Sequence, residues 1–552
     1  MKRNVLIRSI LVLLSLALFG LTAYLSSKRV SAQSADAQSR VYFPYPPGLI
    51  PSDLPKEAKR VEGEVDALER EAFAQWKALP LNPGTAKRQV ELLGKLELFD
   101  RNLSVNKNEA CSFCHMPYTG FSGPISSVNA TVVAYPGSAR WRFGKRKPQG
   151  YTYSPLYPKL QYNQTLANFY GGNFWDLRAT GYRTQSPDAE QAQGPPHDTQ
   201  EMGLPDTACV VYRIAKGKYA SQFKTVWGPQ AFEIHWPADT EKICSTPAGD
   251  FGTNQTPLSL SAEDRGQANA AYDEFALSID AYEASPDVSA FSSKFDGYLA
   301  GNAQFQLTSK EKAGYDIFRG KGNCNSCHLD GRSTAPAPTD HGATDSGVAA
   351  SVAPLFTDFT SANLGLPRNK DNPFYFENKP DAFGFIPNPA GAAFTDLGVG
   401  LFLRSESGTN PDTANWLPLA PKFDGFMQVA TVRNSDMRPY PTFVKSYMHN
   451  GYLKSLKEVV HFYNTRDTYK STAADGSCPA ATEKLTCWPE PEVPATKDMT
   501  IGSLGLTEQE ENELVAFLKT LTDGATRPYP DKNSFGKGAT SATSSDEQAP
   551  QP

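Results

Sequence analysis

Residues 110–117 read ACSFCHMP, and the C-x-x-C-H spacing within them returns at Cys324, Cys327 and His328. Two such strings in a chain with eight cysteines and seven histidines are far beyond chance. A zinc site would want four ligands at tetrahedral spacing, yet each string already holds its own histidine and the two lie about 210 residues apart. A thioredoxin-like dithiol would need a βαβ context and would leave the histidine unexplained. Covalent haem attachment uses all three residues. Cys111 with Cys114, and Cys324 with Cys327, would each form a pair of thioethers, with His115 and His328 ligating the irons. The expected cofactors are two covalently bound c-type haems.

The rest of the chain agrees with that chemistry. Lys2, Arg3 and Arg8 precede an apolar run from Ile10 to Leu25, and Val30-Ser31-Ala32 supplies a small-residue cleavage site. This is the layout of an export signal over residues 1–32, with an uncleaved membrane anchor as the alternative. Either places the chain beyond the inner membrane, in the periplasm, where c-type attachment occurs. Losing those residues takes the formal net charge from −5 to −10. An acidic surface argues against nucleic acid as a partner. The four remaining cysteines are even in number, which in an oxidising compartment points to two disulfides. Proximity favours Cys209–Cys244 and Cys478–Cys487 among the three pairings.

Apolar spacing predicts helices over about 61–78 and 86–100, the second leading directly to Cys111. Residues 33–60 read as an extended arm and 116–260 as loop-rich. Ser261 caps a helix running to about Glu283. Residues 285–302 read as a linker, and "TSKEKAGYDIFRG" as the helix delivering the second cysteine string. Closing helices follow at "SLKEVVHFYN", with a Ser455/Glu458 capping box, and at "TEQEENELVAFLKTL". The order helix, C-x-x-C-H, long loop, closing helix occurs twice. The predicted fold is mainly α, with two cytochrome c-like haem domains and long loop insertions. The first domain spans 61–285, the second 286–524, and 525–552 form a disordered tail.

Several ordered stretches, "LGKLELFDRNLS…ACSFCH", "FWDLR", "QAQGP…EMG", "SSKFDGYLAGN", "GYDIFRGKGNCNSCH", "TVRN" and "YMHNGYLKSLKEVVHFYN", resemble the bacterial dihaem cytochrome c peroxidase/MauG superfamily across most of residues 90–523. The chain looks longer than a typical member, with insertions around 116–165, 205–260, 329–353 and 370–425, like long MauG-like members of the BthA type. The resemblance implies that His115 is the proximal ligand of a peroxide-reacting haem and His328 that of an electron-transfer haem. Many such peroxidases block the first haem with a histidine from the loop that follows. This sequence has none between His115 and His197, and "PGSARWRFGKRKPQG" offers only lysine. The first iron is therefore expected to be five-coordinate or water-bound and to need no reductive activation.

Gln191 and Glu201 keep the family's ten-residue spacing of distal Gln and Glu. Glu201 is the expected acid–base group, since a carboxyl in an apolar haem pocket has its pKa raised; Gln191 is its polar support. His197 lies between them and reads as a surface or supporting residue. Trp175 matches the tryptophan between the haems, able to carry an electron hole, with Asp176 and Arg178 holding its loop or a haem propionate. The sixth ligand of the second haem aligns with Tyr463, against the rivals His461, Met448 and His449. A phenolate there would lower the haem potential and suit a shared bis-Fe(IV) state. Asn163 is a candidate ligand for the interdomain calcium of the family.

The leading expectation is thus a periplasmic enzyme reducing H2O2, with electrons from a small cytochrome, a cupredoxin or another reductant. A MauG-like oxidase or oxygenase acting on a partner protein or organic substrate is the alternative within the family. A plain dihaem electron-transfer cytochrome is the alternative outside enzymes, but it would need no acid–base pair. Oligomeric state leaves no signal in the sequence.

Overall fold

The structure is a computed structural model and describes residues 45–132, 134–247, 257–331, 354–405 and 413–527. The export signal, the first part of the expected arm and nearly all of the expected tail lie outside those residues. Among the described residues no helix is long and apolar enough to cross a membrane.

Seven helices frame the molecule: α1 Leu54–Ala78, α2 Ala86–Leu98, α3 Ala262–Glu283, α4 Lys294–Leu299, α5 Ser309–Arg319, α6 Leu456–Thr465 and α7 Glu508–Lys519. Among the described residues strand is limited to two short antiparallel pairs, β1 Gln161–Asn163 with β2 Asn168–Tyr170, and β3 Ser361–Ala362 with β4 Met427–Gln428. Helix α1 starts inside the stretch read as an extended arm, because Pro55 sits where a first helical turn accepts it and the apolar stripe reaches back through Ala58 to Leu54. The segment read as a linker also contains a helix, α4. Its start is closed by a reciprocal Ser293/Asp296 capping box that the sequence reading passed over. At α6, Ser455 caps the Glu458 amide, but the Glu458 carboxylate accepts from Lys454 N at 2.7 Å, not from Ser455 N. The loop-rich stretch holds helices Ala208–Lys216 and Ala220–Trp227, the former carrying Cys209.

The twofold repeat in the sequence has a packing counterpart. Helix α2, leading to the first cysteine string, crosses α3; helix α5, leading to the second, crosses α7. Each crossing is closed on a glycine. A Cβ on Gly94 would stand 1.9 Å from Ser278 O, and one on Gly314 would stand 1.9 Å from Glu513 O. Around the second crossing Phe295, Tyr315, Phe318, Phe356 and Phe517 form an aromatic core, with Tyr315 and Phe517 rings 4.9 Å apart. Disulfides Cys209–Cys244 and Cys478–Cys487 are both present.

Because the facing atoms are backbone, they cannot rotate away. Gly94→Ala or Gly314→Ala is expected to destabilise the protein by at least about 2 kcal/mol, measured by chemical denaturation. Gly63→Ala, which meets nothing within 4 Å, should be neutral or slightly stabilising.

Candidate active site

The cysteine strings open onto two cavities. The first is lined by Cys111, Cys114 and His115, with Gln191 and Glu201 among its other walls. The second is lined by Cys324, Cys327 and His328, with Tyr463, Met448 and His449. These four cysteines are free thiols, while the other four are paired.

Each string folds into a single helical turn, so its histidine amide bonds back to the first cysteine carbonyl, at 3.1 Å for His115 and 2.9 Å for His328. In each histidine Nδ1 meets a backbone carbonyl at 3.0 Å, Phe121 O for His115 and Phe356 O for His328. A carbonyl only accepts, so the proton sits on Nδ1 and Nε2 keeps its lone pair. Burial holds the His115 ring neutral, its pKa lowered to about 4, and lowers His328 as well. Neutral, pre-oriented imidazole beside two free thiols in a cavity is the donor set that a c-type haem requires. The residues present fit the group at both sites.

In the first cavity Glu201 is raised to about 8, by burial first and then by the nearby Asp198 carboxylate, against the pull of Arg178 and Lys145. Its backbone is clamped, since Ser138 N donates to Glu201 O at 2.7 Å and a Cβ on Gly137 would meet that oxygen at 2.6 Å. Gln191 comes from the short helix Pro187–Ala192, whose N-cap Ser186 accepts from two amides. Apart from His115, no histidine lines this cavity among the described residues. Lys145 and Lys147 do line it, and Lys147 Nζ donates to Pro148 O at 3.0 Å. His197 is exposed and lies off the cavity wall.

Trp175 lines both cavities. Its indole N–H donates to Lys147 O at 3.0 Å, and its ring stands edge-on to His449 at 6.4 Å. Phe174 and Leu177, on either side, have φ of 68° and 63°. Two non-glycine residues in the left-handed region persist only where surroundings over-determine the loop. Here Asp176 is buried between Arg146 at 2.7 Å and Arg178 at 2.9 Å, and Arg178 stacks 3.6 Å above the Phe174 ring.

In the second cavity burial pushes the Tyr463 phenol well above its ordinary range. His461 is excluded as a rival, since Nδ1 pairs with Glu511 at 2.9 Å and Nε2 with Leu485 O at 2.8 Å. Met448 and His449 share the wall with Tyr463. Asn163 Oδ1 accepts from Thr165 N and Leu166 N, at 2.9 and 3.0 Å, and so closes the β1–β2 turn. The described residues contain no cluster of three or more His, Cys, Asp or Glu suited to a metal.

Sequence reasoning missed Glu109 and Glu283 in the first cavity wall. Glu109 could have been noticed, as the acid two residues before Cys111 in the stretch VNKNEA. It pairs with Arg140 at 2.8 Å, and burial raises it to about 8. Glu283 had no local signal, because it ends a helix whose role in the site depends on packing.

The fold and the two cavities define an oxidoreductase with two haems. The di-haem cytochrome c peroxidase family profile matches residues 88–304. The methylamine utilization protein MauG of Paracoccus denitrificans is 27% identical over 441 residues, covering 79% of this chain and 89% of MauG. The cytochrome-c peroxidase IdrP1 of Denitromonas iodatirespirans is 25% identical over 501 residues, 89% of each chain. Among solved structures, the diheme peroxidase BthA of Burkholderia thailandensis superposes with a TM-score of 0.53 at 24% identity, over 81% of this chain and 87% of that one. Along most of its length the chain is similar to the MauG-like dihaem cytochrome c peroxidases.

The raised Glu201 has a consequence for stability. Its carboxyl ionises near 4.5 when unfolded and near 8 when folded. The protonated form is the one folding favours, so its contribution is full below about 4.5 and is lost as pH rises through about 8. Glu201→Gln should therefore gain stability over the parent across that window, on the order of a few kcal/mol by its upper end. Denaturation midpoints against pH would measure it; a constant gap would contradict the assignment.

Proposed function

We propose that this chain is an exported, periplasmic peroxidase that reduces H2O2 at a haem attached through Cys111 and Cys114, using electrons relayed from a second haem attached through Cys324 and Cys327. In this reading 61–285 and 286–524 are the two haem-bearing domains. The observation that carries the reading is the first cavity wall. It presents a raised carboxyl and an amide, with His115 as its sole histidine among the described residues. That composition supports an iron open to peroxide at rest, without prior reduction.

When bound, the haems supply the iron that cleaves the O–O bond and the sites over which two oxidising equivalents are shared. His115, fixed by Phe121 O, would hold the iron of the first haem. Glu201 would move a proton from one peroxide oxygen to the other, so that water leaves; a pKa near the working pH suits both directions. Gln191 orients the peroxide by hydrogen bonding. Trp175, held by Lys147 O, carries the electron hole between the cavities. Tyr463 would hold the iron of the second haem, and an external small cytochrome, cupredoxin or other reductant would return the electrons.

The fully oxidised protein should show one high-spin and one low-spin ferric signal in EPR, and should react rapidly with H2O2 without reduction. Two low-spin haems, as lysine coordination by Lys145 or Lys147 would produce, and no reaction would overturn the reading. Glu201→Gln should slow peroxide cleavage by about 100-fold or more. Tyr463→Met should raise the potential of the second haem; an unchanged potential would turn attention to Met448 and His449.

A further inference from the structure

Behind the first cavity lies a group of acids that the mechanism above does not use. Glu283, at the end of α3, lines the cavity and is 2% exposed. Its carboxyl meets that of Asp188, side chain to side chain, and Asp188 is 1% exposed. Asn173 Nδ2 donates to Asp188 Oδ1 at 2.9 Å. Asp188 Oδ2 and Glu283 Oε2 are buried with no donor among the described residues. Two buried carboxyls in contact cannot both ionise, so the pair keeps a proton.

Asp280 stands one helical turn before Glu283 on the same face of α3 and is partly exposed. Ser186 Oγ donates to it at 2.8 Å and itself accepts from Asp188 N at 3.2 Å. The three acids thus run from the surface, through the interior, to the cavity wall. Burial raises all of them, Asp280 to about 6, Asp188 to about 7, and Glu283 well above its ordinary value.

We infer that Asp280, Asp188 and Glu283 form a proton-entry relay into the first cavity. The inference rests on that cavity being where peroxide is reduced. The reaction H2O2 + 2 H+ + 2 e− → 2 H2O consumes protons that Glu201 cannot supply, since Glu201 only moves a proton from one peroxide oxygen to the other. In each passage Glu283 releases the pair's proton to water in the cavity, Asp280 takes one from bulk water and hands it to Asp188, and Asp188 passes it on to Glu283. The cluster ends as it began, and the electrons come separately from the external donor.

Two experiments on the full-length holoprotein test the relay. The first needs no peroxide and so survives failure of the peroxidase reading. The infrared spectrum of the parent minus Glu283→Gln should contain a protonated carboxylic acid band that shifts on transfer to D2O. In Asp280→Asn the band should persist but exchange at least about tenfold more slowly, within the range positioned proton carriers supply. No such band, or exchange at the parent rate in Asp280→Asn, would overturn the relay. The second is turnover with H2O2. Glu283→Gln should be slowed at least about tenfold, with its ferric spectrum unchanged, and added formate should restore the rate as a mobile proton donor. A parental rate, or a slow rate that formate does not lift, would overturn it. Asp280→Asn, at the partly exposed end, guards against a folding failure in Glu283→Gln.

Discussion

The arrangement of the site depends on one buried cation. Arg146 is paired with Asp176 at 2.7 Å and with Asp396 at 2.6 Å, all three side chains at most 7% exposed. These residues come from three separate segments: the loop that lines both cavities, the Trp175 loop, and a long insertion in the second half. Burial alone would oppose all three charges, yet each carboxylate is held well below its ordinary range by the guanidinium beside it. Losing one partner would leave an uncompensated interior charge, at a cost of about 3–5 kcal/mol. The stretch 370–425, which carries Asp396, is thereby structural. Asp381, from the same insertion, receives Arg142 Nε at 2.7 Å and the Trp141 indole at 2.9 Å in the same way.

That clamp explains how Trp175 can stand between two cavities in a loop of unfavourable backbone geometry. The strain at Phe174 and Leu177 is offset by the Asp176 pairs and by the stacking of Arg178. The same low-dielectric interior raises Glu201, Asp188 and Glu283 around the first cavity, while Asp176 and Asp396, which share Arg146, are lowered. One environment therefore yields two kinds of acid: carboxylates locked as charges in the scaffold, and carboxyls kept near neutrality at the cavity.

Much of this was legible in the chain. The cysteine strings specified both cavity floors, because their spacing acts within one helical turn. The capping signal at Ser261 placed the start of α3 for the same local reason. The misreadings were also local in origin: Pro55 opens α1 and the Ser293/Asp296 box opens α4 inside stretches whose composition reads as irregular.

The sequence by itself determined which residues are chemically able to anchor haem, to carry a proton and to relay an electron. It also determined the doubled order in which they occur, since each of those properties belongs to a side chain or a short spacing. Only the tertiary structure decided which of them share a wall. Trp175 facing both cavities, Glu283 reaching Glu201's cavity, and Arg146 joining three segments all follow from long-range packing. Contacts between residues far apart along the chain depend on how helices cross on Gly94 and Gly314, and no local pattern encodes them.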